Sequence, residues 1–331
     1  MALPQTGNMT TSRPKIACLV GPTASGKTAL SIRVAQMVGA EIVSADSVQV
    51  YCGMDIGSAK PTAEERQGIP HHLLDCVELD SPGFSVSAYR DMAAKAICAI
   101  GERGRLPLVV GGSGLYVNSL VYPLNFAVPS DAVIRAQLEA QYPAEKTGQA
   151  WEALQHADPV TAARLHPNDR KRILRALEVL SCSGRPLSAF GNDFANAAGA
   201  DAPYDALLFG LTMDRALLYR RIDARVDQML ADGFLDEARR IAALGLPRSL
   251  PAMQSIGYRQ LFAYLDGECT YEETVELIKR DTRRFAKRQL SWFGRDRRIR
   301  WFDVGESPPD AVAETIAQQI RQWKSDTGER T

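Results

Sequence analysis

Residues 15–28 read Lys15-Ile16-Ala17-Cys18-Leu19-Val20-Gly21-Pro22-Thr23-Ala24-Ser25-Gly26-Lys27-Thr28. A short apolar run passes directly into a loop of the form Gly-x-x-x-x-Gly-Lys-Thr, the Walker A pattern. Beyond it Ala29, Ile32, Val34, Ala35 and Val38 recur at helical spacing as far as Gly39. Strand, glycine loop and helix are the context that this pattern requires. Backbone N–H groups of such a loop form a cradle for phosphate, and the helix N-terminus adds a favourable dipole. Lys27 is placed to reach distal phosphate oxygens, and the Thr28 hydroxyl to hold Mg²⁺. Gly21, Pro22, Thr23, Ala24, Ser25, Gly26, Lys27 and Thr28 are therefore candidates for binding a diphosphate or a larger phosphate group. The loop alone does not say whether that group belongs to a nucleotide.

Working outward, residues 41–45 form a second strand pattern that ends on Asp46. Residues 106–110 form a third, ending on Gly111-Gly112 after a helical stretch over 87–100. Strands alternating with helices predict a parallel sheet, with ligands at the carboxyl ends of the strands. From about Ser130 the pattern becomes purely helical, over 131–142, 151–155 and 169–181, the last closed by Gly184. An Ala/Gly/Asp-rich stretch, 192–203, reads as a linker, and 206–212 as a returning strand. The expected fold is α/β: a P-loop NTPase-like parallel sheet flanked by helices (1–129 and 205–331), with an all-helical insertion domain (130–204).

The 331 residues, 45% of them hydrophobic, supply a real core. Thirty-nine basic residues balance 39 acidic ones, so any attraction for an anionic partner must be local. The six cysteines are scattered, with no C-x-x-C pair, and read as reduced core thiols; the four histidines read as structural. No signal-peptide pattern and no long apolar run occurs. The expectation is a soluble, cytoplasmic monomer that makes no use of a membrane.

Asp46, at the carboxyl end of its strand and beside the phosphate loop, has three readings: a Mg²⁺ ligand, a general base, or the cap of a following turn. Arg221 and Arg225 lie four apart on a helix that Asp214 caps and Gly233 ends, with Leu218, Ile222, Val226 and Met229 as its buried stripe. From Lys279 to Arg300 there are ten Lys/Arg residues against Asp281 and Asp296. Thr270 and Glu273 form a capping box that starts a helix there, on which Arg280, Arg284, Lys287 and Arg288 share one face. A second basic group, Arg170, Lys171, Arg172 and Arg175, opens the helix after Asp169. Either patch is a solvated surface or a contact for nucleic-acid phosphates.

The strings GPTASGKT, SADSVQVYCGMDIGSAKP, HHLLD (71–75), GGSGLY (111–116), HPNDRKRILRALEV (166–179) and SIGYRQ (255–260) together resemble the bacterial tRNA dimethylallyltransferases, also called tRNA isopentenyltransferases. The blocks run in order over nearly the whole chain. Two differ in detail: serine stands where relatives usually have threonine at Ser113 and Ser58, which keeps the hydroxyl. The resemblance implies transfer of a dimethylallyl group from dimethylallyl diphosphate to N6 of the adenine 3′ to the anticodon, with Mg²⁺ as cofactor. It implies Asp46 as general base, Thr23 near the reacting amine and leaving oxygen, and Arg221 on the diphosphate. Contacts to the tRNA anticodon stem-loop are implied for Asp46, Ser47, Val48, Gln49, Ser113, Arg135, Lys171, Arg172 and Arg175. They are implied also for Gln254, Ser255, Ile256, Gly257, Tyr258, Arg259, Arg283, Arg284, Lys287 and Arg288. The competing readings are a small-molecule kinase, a prenyltransferase acting on free adenine nucleotides, and a non-enzymatic RNA-binding switch.

Overall fold

The computed structural model describes residues 13–123, 128, 131–190 and 202–326. β1 (Lys15–Val20) is buried from Ile16 onward, and α1 (Lys27–Val38) follows it directly, closed by Gly39. β2 (Ala40–Ser44), β3 (His71–His72), α2 (Val86–Glu102), β4 (Leu106–Gly111) and α3 (Gly114–Val121) complete the first half. α2 starts where the Ser85 hydroxyl accepts the Ala88 N–H, an ordinary side-chain cap. β5 (Asp205–Thr212), α8 (Arg215–Ala231), α9 (Phe234–Ala242), α10 (Tyr258–Leu265), α11 (Tyr271–Phe293), β6 (Arg300–Asp303) and α12 (Pro309–Ser325) make the second.

The six strands form one parallel sheet in the order β3-β2-β4-β1-β5-β6. Its central strands are apolar on both faces because helices cover both, the signature of parallel sheets. One core cluster unites Leu19, Leu30, Val34, Leu108, Phe209 and Leu211 with Ile316 and Ile320 of α12. A second cluster, built from Tyr51, Met54, Phe234, Tyr258, Leu261 and Ile278, lies under the segment that follows β2. Because β4 separates β1 from β2, the loops leaving those two strands open on the same edge without being hydrogen-bonded neighbours.

The chain divides into two compact units, 1–122 with 200–331, and 123–199. The smaller unit contains α4 (Ala132–Gln141), α5 (Thr147–Ala157), α6 (Pro159–Ala162) and α7 (Arg170–Ser183), packed on Leu138, Leu154, Ile173 and Leu177. Most of the linker expected at 192–203, and the first dozen residues, lie outside the described residues.

Two expectations are corrected. The cysteines are free, but only Cys18 is buried, and Cys98 and Cys182 are exposed. Met229 is less buried than Leu218, Ile222 and Val226: it packs half-buried against the cluster that contains Val226 and also lines cavities.

Candidate active site

The phosphate loop leaves β1 at Gly21, whose φ of 149° and whose approach to β5 both demand glycine: a Cβ would stand 2.9 Å from the Leu211 carbonyl oxygen. Ala24 then holds a left-handed φ of 62°, a strained conformation of the kind that gathers at functional sites. Lys27 arches back over the loop, Nζ donating to the Pro22 carbonyl at 2.6 Å. Burial, and secondarily the Arg225 guanidinium, push its pKa down to about 7, with Asp46 opposing. The Ser25 hydroxyl is buried without a hydrogen-bond partner among the described residues. The loop is thus a half-buried cationic concavity that carries an unspent hydroxyl donor, suited to an anion.

β2 ends at Ser44, and two residues on the Asp46 carboxylate turns the chain. Its Oδ1 accepts the N–H groups of Val48 at 2.9 Å and Gln49 at 3.3 Å. The capping reading of Asp46 therefore holds for Oδ1. Among the described residues no hydrogen bond falls on Oδ2, so capping and proton transfer are compatible in one side chain. Gln49 donates Nε2 to the carbonyls of Ser58 (3.3 Å) and Ala59 (3.1 Å) and accepts from the Ser44 hydroxyl (3.2 Å). Buried Lys60 locks that same loop, reaching the Tyr51 carbonyl at 3.0 Å, Asp55 at 2.6 Å and Asp75 at 2.5 Å.

Two cavities meet here, both within the larger unit. One, of about 940 Å³, is lined by residues 23–29 of the phosphate loop and its helix, by Asp46, Gln49 and Lys60, and by Arg221 and Arg225 of α8. The other, of about 450 Å³, is mainly apolar, with Val48, Tyr51, Phe84, Tyr116, Val226 and Ile278 in its wall and residues 254–257 at its side. Thr23, Ala24, Asp46, Ser58, Ala59, Arg225, Met229 and Phe285 line both. The carboxylate, the threonine and one arginine thus occupy the neck between a phosphate-binding chamber and an apolar chamber. Burial holds the Arg225 pKa below its usual value, with Asp46 opposing. Burial likewise raises that of Tyr116, which stacks on Tyr89 with ring centroids 4.0 Å apart.

Residues 49–297 match the model of the IPP transferase family. The chain belongs to this family.

Among its relatives, tRNA dimethylallyltransferase of Symbiobacterium thermophilum is 50% identical over 92% of this chain and 94% of its own length. The enzyme of the same name from Carboxydothermus hydrogenoformans is 46% identical over 91% and 96%. The tRNA isopentenylpyrophosphate transferase of Bacillus halodurans superposes with a TM-score of 0.70 at 40% identity, covering 94% of this chain and 96% of that one. A eukaryotic dimethylallyltransferase acting on tRNA superposes at 0.78 with 27% identity, over 96% and 81%.

On this IPP transferase scaffold the residues expected at the site fall into distinct settings. Thr23–Thr28, Asp46, Gln49 and Arg221 line the larger cavity, with Gly21 and Pro22 buried behind them. Val48, Ser47, Gln254, Ser255, Ile256 and Gly257 line the smaller one. Ser113 lies beside Ser47, its Oγ accepting the Ser47 N–H at 3.0 Å. Tyr258 departs from expectation: it is fully buried, its hydroxyl donating to Glu237 at 2.6 Å, and so presents no surface to an RNA. Arg259 pairs with Asp281 at 2.7 Å and Arg283 with Asp223 at 2.5 Å, whereas Arg284, Lys287 and Arg288 stand exposed on α11.

In the smaller unit Arg135 (2.7 Å) and Arg175 (3.2 Å) converge on Glu178, which is wholly buried, and Arg172 pairs with Asp169 at 2.9 Å; Lys171 is exposed. Removing either arginine would strip a buried carboxylate of a partner, so both carry a structural duty besides any contact with RNA. The resemblance implies Arg221 on the diphosphate, yet Arg225 is the one at the neck, lining both cavities. Sequence reasoning missed Phe285 and Gln289. Gln289 had a legible signal, a polar residue in the buried stripe Thr274, Ile278, Ala286 and Phe293 of α11.

Proposed function

We propose that this chain transfers a dimethylallyl group from dimethylallyl diphosphate to N6 of the adenine 3′ to the anticodon in tRNA. The observation that carries the reading is the neck at Thr23, Asp46 and Arg225, where a chamber built for phosphate opens into one built for apolar and aromatic groups. The relatives named above, called tRNA dimethylallyltransferases and matched over more than nine-tenths of this chain, support dimethylallyl transfer to tRNA.

The adenine amine is a weak nucleophile because its lone pair is delocalised into the ring. Its N6 lone pair attacks C1 of the dimethylallyl group as the C1–O bond breaks, and the diphosphate leaves with that electron pair. The proton on N6 passes to Asp46, whose uncapped Oδ2 is available to take it. Charge developing on the leaving oxygens is met by the loop N–H groups, Lys27, Arg221 and Arg225, which line the phosphate chamber. Arg225 and Lys27 suit this task because burial makes each costly to hold charged until an anion arrives.

For Mg²⁺ the donor set fits in kind: the Thr28 hydroxyl stands in the first turn of α1 and lines the phosphate chamber. Among the described residues no group of three His, Cys, Asp or Glu could hold a metal, so the ion would be shared between Thr28, diphosphate oxygens and water, as Mg²⁺ commonly is. When bound it neutralises charge on the leaving group. The RNA backbone is drawn to the exposed basic face of α11, and the target base must leave its stack to reach Asp46.

The test is direct. Purified protein with Mg²⁺, dimethylallyl diphosphate and unmodified tRNA should give prenylated adenosine in mass spectra of the digested tRNA. Absence of that product, together with phosphate transfer from ATP to a small alcohol, would establish the kinase reading instead.

A further inference from the structure

Gln289 occupies the apolar face of α11 and is 5% exposed, yet both ends of its carboxamide are used. Its Oε1 accepts the Thr23 N–H at 2.8 Å, and its Nε2 donates to the Gly112 carbonyl at 3.0 Å. The fit leaves no slack: a Cβ on Gly112 would lie 2.1 Å from that Nε2. From Gly112 the chain passes to Ser113, whose N–H donates to the Ala45 carbonyl at 3.1 Å and whose Oγ accepts the Ser47 N–H at 3.0 Å. Ala45 and Ser47 flank Asp46. One side chain therefore ties the phosphate loop to the segment that carries the carboxylate.

No sheet ladder does this work. Thr23 follows β1 and Asp46 follows β2, and β4 lies between those strands. Ladder hydrogen bonds fix each loop to β4 or β5 only at its root, and the two functional groups sit beyond the last paired residues. A hydrogen-bonded path across the neck runs instead through Thr23, Gln289, Gly112, Ser113 and Ser47.

We propose that Gln289 is a positioning residue for the transfer step, holding Thr23 and Asp46 in fixed register across the intervening strand. The inference rests on the function proposed above, in which the group moves between chambers that meet at these two residues. Gln289 lines the phosphate chamber, but both ends of its carboxamide are taken up by protein groups, so it acts through Thr23 and not on a reactant. Its removal leaves the phosphate loop able to bind an anion and the α11 surface able to bind RNA, but loosens the geometry of attack, and a misplacement of about 1 Å costs roughly 10²-fold in rate.

Gln289→Met keeps the length and removes both bonds. The single-turnover rate of prenyl transfer to tRNA should fall about 10- to 100-fold, while affinities for inorganic diphosphate and for tRNA move less than about threefold. Gln289→Glu supplies a second readout. Its protonated carboxyl can accept from Thr23 and donate to Gly112 as the amide does, whereas its ionised form sets an oxygen against the Gly112 carbonyl. Burial raises a carboxyl pKa, so the rate relative to wild type at each pH should recover as pH falls from about 8 to about 6. A role confined to stability would leave that ratio flat. A wild-type rate in Gln289→Met, a loss lying wholly in affinity, or a flat ratio for Gln289→Glu would each overturn the proposal. Should Gln289→Met fail to fold, the Gln289→Glu series decides alone. Wild-type protein that binds diphosphate and tRNA yet transfers nothing overturns the proposed function, and this inference with it.

Discussion

Oδ1 of Asp46 already accepts two backbone N–H groups, so an alanine there removes a turn cap and a base at once and cannot tell them apart. Asparagine can. Asp46→Asn retains an acceptor for the Val48 and Gln49 N–H groups but cannot take a proton. Single-turnover kinetics should show a loss of at least about 10²-fold for Asp46→Asn and for Asp46→Ala alike. Only Asp46→Ala should also lose about 1 kcal/mol of stability for the missing cap, read in urea melts, with tRNA affinity retained in both. Near-normal turnover in Asp46→Asn would remove the proton-transfer role. Lys27 offers a second residue-scale test. Its pKa in the free protein is pushed down to about 7 by burial and by Arg225, and a bound diphosphate, being an anion, raises it again. Between those two values binding takes up a proton, so affinity should weaken as pH rises above about 7. Calorimetry with inorganic diphosphate near pH 8, in buffers of different ionisation heat, should find up to about one more proton taken up than by Lys27→Met. Equal uptake in the two proteins would contradict the shift. The residues of the phosphate loop and Asp46 were legible because a short motif and a strand end announce them. That Arg225 and Phe285 border both cavities was not, because which face of α8 or α11 borders a cavity is decided by packing across the fold.

At the scale of elements, the loop after β2 depends on a helix far along the chain. Glu237, in the first turn of α9, is 1% exposed. It accepts the N–H groups of Asp55 (3.0 Å), Ile56 (2.8 Å) and Gly57 (3.0 Å), and the Tyr258 hydroxyl at 2.6 Å. Four donors satisfy one buried carboxylate, so its charge is compensated by hydrogen bonds. Gly57 is pressed so near Phe234 that a Cβ would lie 2.1 Å from its ring. The loop thus held carries the Ser58 and Ala59 carbonyls that orient Gln49. In Glu237→Gln one oxygen becomes an NH₂ that faces N–H donors or the tyrosine hydroxyl. Each lost hydrogen bond to a charged group is worth about 1.5–3 kcal/mol, so urea melts should show a loss of about 2–4 kcal/mol. A change below about 0.5 kcal/mol would mean that the clasp is not a stabilising contact. Local signals fixed most of the main strands and helices to within a few residues, as with the capping box at Thr270 and Glu273. β3, α3, α9, α10, β6 and α12 escaped notice, and so did the dependence of the 55–57 loop on α9, because nothing near Asp55 in sequence names a partner some 180 residues away.

For the whole molecule, a formal net charge of zero conceals an uneven surface. Several cations of the basic C-terminal run are internally neutralised: Lys279 and Arg283 face Asp227 and Asp223, and Arg298 holds Asp296 at 2.7 Å. The run read from the sequence therefore overstates the charge offered to a partner. What remains on α11 is Arg284, whose nearest carboxylate oxygen is 3.7 Å away, with Lys287 and Arg288 beside it. Counterion release makes the salt dependence of binding a count of phosphate contacts, each worth about 0.7 to 0.9 in the slope of log affinity against log salt. Lys287→Ala combined with Arg288→Ala should weaken tRNA binding and reduce that slope by about 1.5, provided both side chains meet phosphates. Arg239→Ala, on α9 and paired with Asp236 at 2.8 Å, removes an exposed charge elsewhere and should leave the slope unchanged. Fluorescence anisotropy of a labelled anticodon stem-loop, titrated at several salt concentrations, separates the cases. If all three substitutions lowered the slope alike, the attraction would be a diffuse effect of total charge. A drop confined to the α11 pair would make that helix face the contact, and place it on the helix that also carries Gln289 and, through it, the phosphate loop.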